Sequence, residues 1–278
     1  MRDSTVLPDL RILPTKNLIP HEEVDPRRVD RLCQRLQAEG MLKNPPIVAA
    51  IPDTDCYVIL DGANRAMALV AMGIPHVVAQ VVDYHNPEIV VDTWYHVVSG
   101  LDIQAFEDAM LQITGLHLKG CSLSEARQAL ENNRAAAYIV CADGVRKALN
   151  ARDAVAHDIQ LLNDLVKAYK GKADIYRASN DIWEKQAPYY PDITALVIFP
   201  RLTPRDIIKA ARFGEKVPTG ITRHIIPQRA LNINISLEVL EADWPKARKD
   251  AWLQEWLMER MAANAIRFYS ESTFSFNE

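Results

Sequence analysis

Tyr57-Val58-Ile59-Leu60-Asp61-Gly62-Ala63-Asn64-Arg65 is the stretch whose reading decides the fold. A short apolar strand runs into a small-residue turn, and Ala66 to Met72 then reads as a helix closed by Gly73. A helix that opens straight after a strand turns its free first-turn N–H groups outward, and with the positive end of the helix dipole they accept phosphate. Gly62 and Ala63 permit close approach, Arg65 can fork onto phosphate oxygens, and Asp61 at the strand end suits Mg²⁺ bridged to those phosphates. Read alone, the same residues fit equally well a plain strand–helix turn with Asp61 as N-cap and Arg65 solvated.

Outward from this stretch the pattern stays mixed. Pro45 and Pro46 introduce a strand at 47–51, Pro52 to Asp55 is a turn, and the strand at 57–60 closes a β-hairpin. Upstream, Pro26 to Glu39 is predicted helical, with Val29, Leu32, Cys33 and Leu36 on one face and Gly40 as its stop; Val77 to Val82 forms another strand. Downstream, helices are expected at 104–113, 124–132 and 158–169 and from Pro204 onward, with strands at 135–141 and 194–199. Pro218 to His224 is a loop feeding an extended stretch to Ile235. Pro245 to Phe268 reads as a long charged helix whose stripe of Leu253, Trp256, Leu257 and Met261 packs on the body or on a second subunit, which allows a homodimer.

Composition narrows the function classes. Of 278 residues 49% are hydrophobic and 24% charged, an ordinary globular balance. No segment approaches the roughly 20 unbroken apolar residues of a membrane helix, and Met1 to Leu10 lacks the layout of a secretory signal. Cys33, Cys56, Cys121 and Cys141 are scattered without a CxxC pair, so they read as buried thiols of a cytoplasmic protein. A net charge of −4 argues against a chain whose main task is coating DNA, because duplex affinity comes from clustered Lys and Arg. Neither a P-loop nor a Gly-x-Ser-x-Gly elbow is present.

Three further places carry chemistry-bearing residues. In His21-Glu22, Glu22 suits a general base for an attacking hydroxyl, although first-turn acids more commonly just complement a helix dipole. Thr222, Arg223 and His224 put hydroxyl, guanidinium and imidazole in one loop, a clamp for carboxylate or phosphate, with Arg229 reinforcing its positive field; solvated side chains at a strand entry are the plainer alternative. Trp94, in Asp92-Thr93-Trp94-Tyr95, lines a pocket or packs in a core.

In their order along the chain, these pieces resemble the ParB/sulfiredoxin superfamily over roughly residues 10 to 85: Ile-Pro-His-Glu, a helix, Asn-Pro-Pro-Ile-Val, Tyr-Val-Ile-Leu-Asp-Gly-Ala-Asn-Arg, Gly-Ile-Pro. The 92–95 motif and Gly214 to His224 look like the free L-serine kinases of that superfamily, both the archaeal ADP-dependent kind and the kind that serves siderophore synthesis. The resemblance implies an α+β protein: a ParB-like nucleotide-binding domain over 1–100, a smaller α/β substrate-side domain over 101–240 and a helical extension over 241–278. It implies L-serine and a nucleotide, ADP or ATP, as partners, with Mg²⁺ as cofactor and a product for cysteine or siderophore synthesis. It also implies roles: Glu22 as base, Asp61 at the phosphates and metal, Gly62, Ala63, Asn64 and Arg65 as the phosphate turn, and Trp94, Thr222, Arg223 and His224 around serine. Ala63 and Asn64 stand where the archaeal enzymes carry two histidines, so the choice between ADP and ATP stays open. The alternative that the N-terminal pattern allows is a ParB-like nucleotide-binding regulator that contacts nucleic acid. The β-like 135–141 segment, where a recognition helix would be needed, argues against it.

Overall fold

In the computed structural model, which describes residues 7–150 and 158–269, and of 147–150 the backbone alone, the N-terminal run builds a mixed sheet. Its elements are β1 (Leu10–Pro14), β2 (Leu18–Pro20), α1 (Pro26–Glu39), β3 (Met41–Leu42), β4 (Ile47–Ala50), β5 (Tyr57–Asp61), α2 (Ala63–Ala71) and β6 (His76–Val82). The five-stranded order is β1-β6-β4-β5-β2, with β4 antiparallel to β5 and parallel to β6. Helix α1 starts and stops where its local signals say: Asp25 accepts from the Arg27 N–H at 3.0 Å, and Gly40 takes φ 63° at the end.

The chain continues through β7 (Val90–Thr93), β8 (Tyr95–Ser99), α3 (Ile103–Leu111), β9 (Leu116–Cys121), α4 (Leu123–Glu131), β10 (Ala137–Cys141), β11 (Gly144–Asn150), α5 (Ile159–Tyr169), β12 (Asp174–Ala178), α6 (Trp183–Gln186), β13 (Ile193–Ile198), α7 (Pro204–Phe213) and β14 (Thr222–Ile225). A six-stranded sheet runs β12-β8-β13-β10-β11-β9, and β7 pairs with β14 in a separate ribbon. Ser122 and Thr203 each close a capping box, which fixes the starts of α4 and α7. The strand expected at 135–141 is present over Ala137–Cys141, as its apolar run indicated. The strands 90–93, 95–99, 116–121, 144–150 and 174–178 were not among the expected elements.

The last elements are β15 (Ile235–Ser236), α8 (Leu237–Glu241) and α9 (Lys246–Ala262). Their packing decides how the chain divides. Residues 7–19, 24–86 and 226–269 form one unit, and 20–23, 87–150 and 158–225 form the other. Against the consecutive segments expected at 1–100, 101–240 and 241–278, the units interleave, because β15 pairs with β3 and Leu253 of α9 enters the core built by β1, β4, β5, β6 and α2. Trp252, Trp256 and Leu257 pack against that core, whereas Met261, expected on the same stripe, is 56% exposed. The helix ends at Ala262, short of Phe268, and residues 270–278 lie outside the described residues. Leu253→Ala should therefore cost about 2–5 kcal/mol of stability through transfer and cavity terms, measured as a lowered urea midpoint. An unchanged midpoint would mean that α9 is not part of this core.

Among the described residues no helix is long and apolar enough to cross a membrane. All four cysteines are free thiols; Cys141 is buried, while Cys33, Cys56 and Cys121, expected to be buried, are only half-buried.

Candidate active site

In the first unit, β5 delivers buried Val58, Ile59 and Leu60 and then Asp61. Gly62, not Asp61, is the N-cap of α2: it takes φ 80°, a left-handed conformation that favours glycine, and contributes no side-chain cap. The helix consequently starts at Ala63, three residues before the expected Ala66, and Ala63, Asn64 and Arg65 form its first turn. The first turn of an α-helix has no intrahelical partners for its N–H groups, and such a terminus suits an anion. Close approach is literal here, since a Cβ on Gly62 would lie 2.7 Å from Arg65 Nη2. The Asn64 side-chain oxygen is buried without a hydrogen-bond partner.

Asp61 is half-exposed and carries two guanidiniums, Arg229 Nη2 at 2.5 Å and Arg65 Nη2 at 3.7 Å. Arg229 was expected near His224; it faces Asp61 because the segment around it is pinned to β6. Gln80, 3% exposed, donates to the Gln228 carbonyl at 3.0 Å and accepts the Ala230 N–H at 2.8 Å. Ion pairs this exposed are worth about 0–1 kcal/mol, so phosphate or metal can take these partners at small cost. Mg²⁺ needs few protein ligands when nucleotide phosphates supply the rest, and a lone half-exposed Asp61 beside two arginines fits that arrangement. No three-residue His/Cys/Asp/Glu cage exists among the described residues.

In the second unit, residues 20–23 are stitched to the 216–222 loop. The Val217 N–H donates to the His21 carbonyl at 2.7 Å, the Glu23 N–H to Val217 at 3.0 Å, and the Thr219 hydroxyl to the Glu23 carbonyl at 2.8 Å. Lys170 adds an ion pair to Glu23 at 2.8 Å. This lattice aims the Glu22 carboxylate into a cup of donors. Its Oε2 accepts the Gly220 N–H at 2.8 Å, and its Oε1 accepts both the Thr222 N–H at 2.9 Å and the Thr222 hydroxyl. Imidazole Nε2 of His21, 4% exposed, meets the same hydroxyl at 2.9 Å. Since that hydroxyl gives its proton to Glu22, it accepts from His21, which assigns the proton to Nε2. His21 was read only as a neighbour of Glu22; its contact with Thr222 spans 201 positions and left no local signal.

The ribbon of β7 and β14 sets Arg223 opposite Asp92. Arg223 lies over Trp94, its Cζ 4.4 Å from the ring centroid, with one oxygen of Asp92 at 3.9 Å and Arg201 at the other oxygen of Asp92 at 3.4 Å. Stacking on tryptophan fixes the plane of the guanidinium and leaves an edge for a carboxylate or phosphate. His224 follows on the same strand and meets His21 edge to face at 5.1 Å. Glu22, Trp94, Thr222, Arg223 and His224 thus belong to one unit, and Asp61 to Arg65 to the other. Asp92 and Arg201 are further charged groups at these places that the sequence reading had not assigned.

No protein-family model matches the chain. It is 25% identical over 249 residues to the ATP-dependent L-serine kinase of Staphylothermus marinus, a match covering 85% of this chain and 95% of that one. Against the ATP-dependent L-serine kinase SbnI of Staphylococcus aureus it is 24% identical over 265 residues, 95% and 96% of the two chains. The ADP-dependent L-serine kinase SerK of Thermococcus kodakarensis is 22% identical over 228 residues, covering 80% and 88%. Among solved structures, a C-terminally truncated SbnI from Staphylococcus aureus matches with a TM-score of 0.74 at 22% identity, over 91% of this chain and 97% of that one. A free serine kinase in complex with AMP matches at 0.71 and 20% identity, over 85% and 95%. In sequence over most of its length, and in fold, the chain is a relative of the free L-serine kinases.

Proposed function

We propose that the chain transfers the terminal phosphoryl group of ATP or ADP to the hydroxyl of free L-serine, giving O-phospho-L-serine, and that it works in the cytoplasm. The observation that carries this reading is the grip on Glu22. Three donors hold its carboxylate in one orientation, and Oε2, which accepts only the Gly220 N–H among them, keeps a lone pair for the acceptor hydroxyl. The serine O–H proton passes to Glu22 as the oxygen bonds to phosphorus. The bond from that phosphorus to its bridging oxygen breaks, and ADP leaves if ATP is the donor, AMP if ADP is. Positioning and charge neutralisation supply most of the acceleration in such transfers.

Arg223, planar on Trp94, is the natural partner of the serine carboxylate or of the new phosphate, with Thr222 and His224 beside it. In the other unit Gly62 to Arg65 would receive the nucleotide phosphates on backbone N–H groups and guanidinium. Mg²⁺, which Asp61 would hold, supplies charge neutralisation on those phosphates when bound. Free thiols accord with a reducing compartment.

Incubating the chain with L-serine, Mg²⁺ and either nucleotide, and following phosphoserine by ³¹P NMR, tests the reading; no phosphoserine with both donors would end it. Arg223→Ala should raise the serine KM by about 10- to 100-fold, the loss of a charge-assisted hydrogen bond, with little change in nucleotide KM. An unaltered serine KM would remove Arg223 from the acceptor site.

A further inference from the structure

Two guanidiniums share Asp92, and only one of them, Arg223, lies over a tryptophan. The other, Arg201, sits shortly past the end of β13, in a turn whose place is fixed. The carbonyl of the preceding residue, Pro200, accepts the Thr93 hydroxyl at 3.3 Å, and Thr93 is 5% exposed. Thr93 in turn pairs with Thr222 in the ribbon of β7 and β14. The turn that carries Arg201 is therefore tied to the same ribbon as Arg223.

Arg201 Nε is 3.4 Å from one carboxylate oxygen of Asp92, and Arg223 Nη1 is 3.9 Å from the other. A charge-assisted hydrogen bond is shorter, about 2.7–2.9 Å. Asp92 thus attracts both cations without using up their donors, and among the described residues neither guanidinium makes a hydrogen bond. Two cations around one anion leave a surplus positive charge. Arg201 is also 73% exposed, so its tie to Asp92 gives way at little cost when a stronger anion arrives. An ordinary surface ion pair would have closed to hydrogen-bond distance with one partner. Here one carboxylate spaces two forks side by side.

We propose that Arg201 is a phosphate-binding residue of the acceptor site: with Arg223 on the carboxylate of the amino acid, Arg201 takes the phosphate of O-phospho-L-serine, and Asp92 spaces the two. The proposal rests on the kinase reading and deepens it. L-Serine brings one carboxylate, which a single guanidinium satisfies. The product brings that carboxylate and a phosphate with between one and two further negative charges, so the second fork gains its partner only as the phosphoryl group arrives. Contacts made to the phosphoryl group and not to the free hydroxyl separate product from substrate.

The test titrates L-serine and O-phospho-L-serine by calorimetry into the full parent chain, Arg201→Ala and Arg201→Lys, and measures inhibition of turnover by added O-phospho-L-serine alongside. Arg201→Ala should weaken O-phospho-L-serine by about 10- to 100-fold and leave L-serine within about twofold. Arg201→Lys, which keeps the charge but loses the fork, should fall between. So exposed a side chain can be replaced without disturbing the fold, which circular dichroism checks. Unchanged affinity for O-phospho-L-serine in Arg201→Ala overturns the proposal. An equal loss for both ligands overturns it too, because it would put Arg201 on the carboxylate or behind Arg223. If the parent forms O-phospho-L-serine, and it and Arg201→Ala are inhibited alike by that product, this proposal alone falls. A parent that neither forms nor binds O-phospho-L-serine sinks the kinase reading beneath it.

Discussion

Replacing Glu22 with glutamine should cut phosphoserine formation by about 10²- to 10⁴-fold, the usual worth of a general base, and leave nucleotide affinity intact. The carboxylate accepts from Gly220, from the Thr222 backbone and from the Thr222 hydroxyl, so on the proposed reading it would be both proton acceptor and local strut. Glutamine preserves the shape but has one acceptor oxygen. Either the Gly220 N–H or the Thr222 donors then face an NH₂ group, at a cost of about 1–3 kcal/mol. The variant should therefore melt earlier as well as turn over more slowly. The two effects separate because rate is read per folded molecule, and a loss confined to stability would show that Glu22 is only the strut. If the base role is right, kcat falls while the serine KM moves little, since the proton leaves the hydroxyl only on the way to the transition state.

Much of this was legible locally. Helix α1 announced itself through Pro26 and Gly40, and α7 through Thr203, Pro204 and Asp206, since end signals act within four residues. The hairpin of β4 and β5 was readable from two apolar runs around a Pro-Asp turn. The strands β9 and β12 were not, because they are the edges of the six-stranded sheet and bury few side chains, so no alternation marks them. In β8 the apolar run is only Val97–Val98, flanked by buried polar His96 and Ser99. The candidate residues could be named from the sequence, but the contacts that bring them together span some 200 positions, Glu22 to Thr222 above all. Arg229 was assigned to the wrong neighbour for the same reason: Gln80, 150 positions before Ala230, decides where that segment lies.

The phosphate turn offers the second large effect, and a way to tell its parts apart. Arg65→Ala should raise the nucleotide KM by roughly 10- to 100-fold, the equivalent of a charge-assisted hydrogen bond of about 1.5–3 kcal/mol, without lowering the melting temperature much. Gly62→Ala should do similar damage by another route. At φ 80° an L-residue pays roughly 1–2 kcal/mol of backbone strain, and its Cβ, 2.7 Å from Arg65 Nη2 and 3.2 Å from the Pro46 Cα, must displace the guanidinium. That variant should lose both affinity and stability. Because both changes remove the same guanidinium from the phosphates, the double variant should bind nucleotide about as weakly as the worse single one, where independent sites would add. Isothermal titration with ADP and ATP measures all three. Full additivity would mean that Gly62 acts on the phosphates through its own backbone N–H neighbours instead of through Arg65, and unchanged affinity in Arg65→Ala would take the turn out of nucleotide binding altogether.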